Sequence, residues 1–200
     1  MLRVIDTTIG IDPGAHAGVA VVRGSDLLIA TDSRKVKLSD PWQRIEVLQH
    51  VLRFAGYELD AAGRVAAGQP FNLALERQYA SSFAKASALV VAGHAAAWEL
   101  SAQLLGGSSC RLLDRVAPAS WQAMIGAAKG KSRERKMRAA GILLEHYEQL
   151  RGLGQGAIDA AWIAIYAHAL AHGWDGKPST PIRGWEWINE AWKLREIKDA

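Results

Sequence analysis

Cysteine is almost absent from this chain: Cys110 is the single one in 200 residues. That excludes an intrachain disulfide and a zinc site built on several thiolates. Cys110 itself reads as a small buried residue in a strand. Long apolar runs are also missing. None approaches the roughly 18–20 unbroken apolar residues of a membrane span, so no membrane is expected as a partner. The first residues lack the basic, apolar, small-residue layout of a signal peptide. A cytoplasmic, reducing compartment is therefore the expectation. No internal repeat or low-complexity tract is evident, and the net charge of +4 is small.

What is present has globular composition. Half the residues are hydrophobic and 22% are charged, enough apolar material for a real core. The length suits one domain, or one domain with a tail. The small net charge hides a local excess. Between 129 and 138 stand Lys129, Lys131, Arg133, Arg135, Lys136 and Arg138 against one acid, Glu134, so the remaining 190 residues sum to −1. Such a run is either a solvated helix face or a site for a polyanion.

Strands are expected over 8–12, 17–23 and 26–32, with Gly24-Ser25-Asp26 as turn chemistry. Three strands with tight turns make an antiparallel meander. Asp40 and Pro41 open a helix as cap and first residue, and Ile45, Leu48, Val51, Leu52 and Ala55 follow at helical spacing. Residues 71–76 form a fourth strand. An Ala-rich helix spans about 83–105 and stops at Gly106-Gly107. A short fifth strand lies around 111–113. Helices follow over 118–125, 133–150 and 157–172. The last is apolar nearly all round and must be largely buried. The order predicts an α/β fold, a mixed sheet with helices on its faces. Residues 1–172 form that domain. Residues 173–200 form a tail holding four of the eight tryptophans. Trp185, Ile188 and Trp192 share one helical face, so the tail is expected to be helical. It would pack on the domain or meet a partner.

Three carboxylates stand where the apolar pattern does not call for them. Asp12 ends the first strand and Glu76 ends the fourth. Were those strands parallel neighbours, about 4.8 Å apart, the two acids would lie side by side. Asp159 is the single charge in the first turn of the buried helix. It fits a helix N-terminus by itself, or it completes a cluster at the same sheet edge. Three converging acids repel strongly without a divalent cation. Oxygen-only ligands select Mg²⁺, with Mn²⁺ as a substitute. Such a site suits in-line phosphodiester cleavage, with the 129–138 run holding the phosphate backbone.

On these segments the sequence resembles the RuvC-type Holliday-junction resolvases, and is nearer their short phage-type relatives. The segments are Ile11-Asp12-Pro13-Gly14 with Gly18-Val19-Ala20, Leu73-Ala74-Leu75-Glu76-Arg77-Gln78, and Ser82-Phe83-Ala84-Lys85-Ala86. Val116-Ala117-Pro118-Ala119-Ser120-Trp121-Gln122 and Lys129-Gly130-Lys131 with Lys136 follow, then Ile158 through Tyr166. Together they cover about 8–172. The resemblance implies a ribonuclease H-like fold with a five-stranded sheet of order 3-2-1-4-5. It implies a homodimer that cuts branched DNA, such as a four-way junction, using Mg²⁺. Asp12, Glu76 and Asp159 match the family's catalytic, metal-binding acids. Lys129, Lys131, Arg133 and Lys136 fall in its DNA-binding region, and one of the lysines there would lie near the scissile phosphate.

There is one departure. The family's fourth ligand, Asp or His, precedes the last Asp by one helical turn, and Gly156 stands there. Gln155 or His16 are the available substitutes. His168 and His172 lie off the Asp159 face and read as surface or structural residues. Two functions follow: a Mg²⁺-dependent endonuclease selective for branched DNA, or a branched-DNA-binding protein that has lost cleavage. An actin-like nucleotide-binding fold shares the Asp-x-Gly turn after a strand, but needs two domains and a second phosphate motif.

Overall fold

The structure, a computed structural model, describes residues 5–13, 16–24, 26–32, 40–77, 85–125, 131–177, 185–188 and 191–194. Residues 14–15, 78–84 and 126–130, which hold Gly14, Ser82 and Lys129, lie outside them. Three strands open the chain: β1 (Thr7–Asp12), β2 (Gly18–Arg23) and β3 (Asp26–Asp32). They pair antiparallel in sequence order. Gly24, at φ 62°, supplies the left-handed turn residue between β2 and β3.

Helix α1 (Pro41–Phe54) starts as the sequence predicts. The Asp40 carboxylate accepts from the Trp42 and Gln43 amides, and Pro41 occupies the first turn. Strand β4 (Phe71–Leu75) pairs parallel with β1, and β5 (Cys110–Leu112) pairs parallel with β4. The sheet order is β3-β2-β1-β4-β5, the order the resemblance implies. Between β4 and β5 runs α2 (Lys85–Gly106). Cys110 is half-buried in β5, and burial pushes its thiol up to about 11, so it is inert rather than reactive.

Helices α3 (Pro118–Met124), α4 (Ser132–His146) and α5 (Gln155–Ala171) complete the domain. The period-2 pattern of the strands sorts two cores. Ile9 and Ile11 of β1 and Leu73 and Leu75 of β4 share one core with Leu48, Val51 and Leu52 of α1 and Trp98 of α2. Ala20, Val22 and Ala74 share the other with Trp121, Leu143 and the length of α5. Arg44 is an intruder in the first core. It is fully buried, its Nη2 lies 3.0 Å from His94 Nδ1, and it stacks over Trp98.

Helix α5 is buried along its length because its alanines let it sit directly on backbone. A Cβ on Gly10 would lie 2.5 Å from the Ala160 carbonyl oxygen, too close for any side chain. The helix ends at Gly173, φ 90°, with the Trp174 amide donating to the Ala169 carbonyl at 3.0 Å. Trp174 is buried and meets Tyr166 edge-on, so the core extends into the stretch assigned to the tail.

The expected tail helix is corrected. β6 (Trp185–Ile188) and β7 (Ala191–Leu194) pair antiparallel, with Trp187 opposite Trp192. Trp and Ile favour strands, and a two-residue connection between four-residue runs fits a hairpin. The i, i+3, i+7 spacing that pointed to a helix is too short a signal to outweigh this.

Candidate active site

The site grows from one face of two strands. On β1, Thr8, Gly10 and Asp12 alternate with Ile9 and Ile11, so they share the face on which α5 lies. On β4, Asn72, Ala74 and Glu76 do the same. The parallel register matches Thr8 with Asn72 and Gly10 with Ala74. One step further it brings Asp12 beside Glu76, whose amide donates to the Ile11 carbonyl at 3.0 Å. Glu76 also bridges to Val116, which ties β4's end to the approach to α3.

Asp159 arrives from α5. The helix runs antiparallel to β1: its Ala160 and Ala164 lie over Gly10, and its Gly156 and Ala157 lie over Gly18. Gly18 is the ladder partner of Asp12. The first turns of α5 therefore sit at the end of β1 that carries Asp12. All three predicted acids come to this edge of the sheet.

Each acid has a distinct environment. Asp12 and Glu76 are half-buried. Glu76 accepts from the Trp121 indole N–H at 3.4 Å. Trp121 is 1% exposed, so it is a rigid donor. Asp159 is 8% exposed. Its Oδ1 accepts from Gln155 Nε2 at 2.7 Å, and Lys136 Nζ stands 3.9 Å from Oδ2. Burial raises the Asp159 pKa above the ordinary carboxylate range, against the pull of the Gln155 hydrogen bond and the Lys136 charge.

Of the remaining predicted residues, Lys136 reaches this edge of the sheet. Lys131, Arg133 and Lys136 lie at and along the first turns of α4, all exposed. The Lys131 amide donates to Glu134 at 3.0 Å, fixing the helix start. Arg135 reaches back to Gln122 of α3 at 3.2 Å. Gln155, one of the substitutes for a fourth ligand, spends its amide N–H on Asp159. His16 is exposed in the turn between β1 and β2. His168 and His172 are far from Asp159, at the opposite end of α5. The role of Trp121 in holding Glu76 escaped the sequence reading, because a tryptophan in a short helix reads as core.

No family model and no curated protein matches the sequence. Solved structures do match. The chain is similar to RuvC of T. thermophilus in complex with a Holliday junction substrate, at TM-score 0.52 and 19% identity over 84% of this chain and 96% of that one. A structure of Thermus thermophilus RuvC matches at TM-score 0.52 and 17% identity over the same shares. The chain has a RuvC-like fold. Among the described residues, no helix of this RuvC-like domain is long and apolar enough to cross a membrane.

Proposed function

We propose that this protein is a divalent-metal-dependent endonuclease that cleaves branched DNA such as four-way junctions, acting as a homodimer. The observation that carries the reading is the convergence of Asp12, Glu76 and Asp159 on one sheet edge of a RuvC-like fold. The neighbour bound to a Holliday junction supports branched DNA as the substrate class.

The donor set fits a hard cation. It offers carboxylate oxygens and no thiolate. The buried Asp159 carboxylate is disfavoured as an anion where it stands, so a cation at this edge relieves it. Asp12, Glu76 and Asp159 would hold the metal, Mg²⁺ or Mn²⁺. When bound, it supplies Lewis-acid stabilisation of the charge that builds on the scissile phosphate. The chain's own residues do the rest. The Trp121 indole orients Glu76, and the Gln155 amide orients Asp159. Lys136 is a cation already at the edge, placed to meet a phosphate oxygen. Lys131 and Arg133, exposed on the same helix, extend a positive track for the backbone, and Lys129 belongs to the same run.

Dimerisation is supported by the outward face of α2. Leu89 is 76% exposed, and Leu100 and Leu104 are each 57% exposed. Ala92 and Ala96 are exposed between them, and Gly93 and Ala97 are half-buried. A monomer rarely leaves such a continuous apolar face in water. Two copies of it would bury each other and set two acid clusters a fixed distance apart.

A second reading, binding without cleavage, is favoured by one observation. Gly156, at the position of the expected fourth ligand, brings no side chain to the cluster. Incubation of a labelled four-way junction with Mg²⁺ or Mn²⁺ separates the two. Symmetric nicks that vanish in Asp12→Asn support the nuclease. Junction binding with no nicks in either metal supports the binder.

A further inference from the structure

The same face of β1 and α5 that carries the acids at one end carries a different set of ligands at the other. One ligand atom each from Asp6, His168 and His172 lies within 4.8 Å of the other two. Asp6 is exposed, His168 is buried and His172 is half-buried. The two histidines are one helical turn apart at the end of α5, with ring centroids 4.0 Å apart. From Asp6 to Asp12 the strand covers about 20 Å at roughly 3.3 Å per residue, so the two clusters are separate.

Each imidazole is already fixed through one ring nitrogen. His172 Nε2 lies 3.1 Å from the Ile5 carbonyl oxygen. A carbonyl only accepts, so Nε2 carries the proton and Nδ1 of the neutral ring keeps its lone pair. His168 Nδ1 lies 3.0 Å from Thr8 Oγ1, and Thr8 Oγ1 in turn accepts from Asn72 Nδ2 at 3.5 Å. Outer partners of this kind orient the histidines of metal sites. The location also favours a cation. The last turn of α5 presents the negative end of the helix dipole, and the Asp6 carboxylate adds a full negative charge.

We propose that Asp6, His168 and His172 form a second metal site, selective for a borderline transition-metal ion such as Zn²⁺ over Mg²⁺. Two imidazoles and one carboxylate are a Zn²⁺-type donor set, chemically distinct from the oxygen-only acid cluster. Its role is to fasten the end of α5 to the start of β1. The site does not depend on the proposed nuclease activity.

The test uses the full chain, stripped of metal and then held in excess Mg²⁺ so that the acid cluster is served. Zn²⁺ is titrated by calorimetry and its effect on the thermal midpoint is followed. Co²⁺ replaces Zn²⁺ for visible absorption. One Zn²⁺ per chain is expected. At about a hundredfold excess over Kd, the midpoint should rise by roughly 5–10 °C. His172→Ala and Asp6→Asn, both outside the core, should each lose the shift and the Co²⁺ absorption band, while Asp12→Asn keeps them. Three outcomes overturn the site: no Zn²⁺ shift in the unaltered chain, an undiminished shift in both Asp6→Asn and His172→Ala, or loss of the shift in Asp12→Asn alone.

Discussion

Gly18 and Gly156 meet backbone to backbone: a Cβ on Gly18 would run into the Gly156 carbonyl and stand 2.5 Å from the Ala157 amide nitrogen. Because Gly18 is also the ladder partner of Asp12, this contact sets how closely α5 approaches the acid edge. The glycine at 156 reads from sequence as a missing ligand. In the fold it is also the point where helix and sheet touch.

Gly18→Ala should therefore be costly in two ways. Overpacking of this kind costs about 1–3 kcal/mol, readable in urea melts. The start of α5 would also move off the sheet and carry Asp159 with it. Loss of junction cleavage in a still-folded variant is the expected signature. Full cleavage would show that the contact does not position the site.

Asp159→Asn should stabilise the metal-free protein at neutral pH. Burial raises the Asp159 pKa above its unfolded value, so the charged form opposes folding at pH above the raised pKa. That cost shrinks as pH falls through the raised pKa and is gone only below the unfolded value of about 3.9, where the group is protonated in both states. Thermal midpoints at pH 7 and about pH 3 check it: the gain from Asn should be present at the first and absent at the second.

Trp121→Phe keeps an aromatic ring and removes the donor to Glu76. A hydrogen bond of this kind contributes about 0.5–1.5 kcal/mol, so the stability loss should be small. Cleavage rate should fall more than junction affinity, because Glu76 loses its orientation. Equal losses in both would mean that Trp121 merely packs.

Lys131→Ala combined with Arg133→Ala should flatten the salt dependence of junction binding. Each phosphate contact removed lowers the log–log slope by about 0.9. An unchanged slope would take the start of α4 out of the DNA interface.

Leu100→Glu with Leu104→Glu should convert a dimer to a folded monomer, read by light scattering after size exclusion. If the double variant remains dimeric, the α2 face is not the interface.

Much of this site was legible because its residues break patterns. Asp12 and Glu76 stand where an apolar strand should continue, and Asp159 is one charge in a helix otherwise apolar all round. The mixed sheet with helices on its faces was legible from the order of strands and helices, and the start of α1 from the Asp40-Pro41 cap. Arg44 was not, because its burial depends on His94 and Trp98 from another helix. The Asp6–His168–His172 group was hidden for the same reason. Its members lie some 160 residues apart in sequence, and i, i+4 histidines at a helix end are ordinary. The tail hairpin was misread because four-residue runs of Trp and Ile fit either period.

The position of α5 in the chain has a consequence for how the molecule is made. Domains form as they emerge during synthesis, N-terminal parts first. Strand β1 emerges early, but the helix that covers its Gly10 face is the last element of the domain to leave the ribosome. Until then that face of the sheet has no lid, and Asp12 and Glu76 wait without Asp159. The acid cluster is thus assembled only when the domain is essentially complete. A partly made chain carries two of the three acids and an uncovered strip of sheet. That uncovered strip is present before Asp159 is.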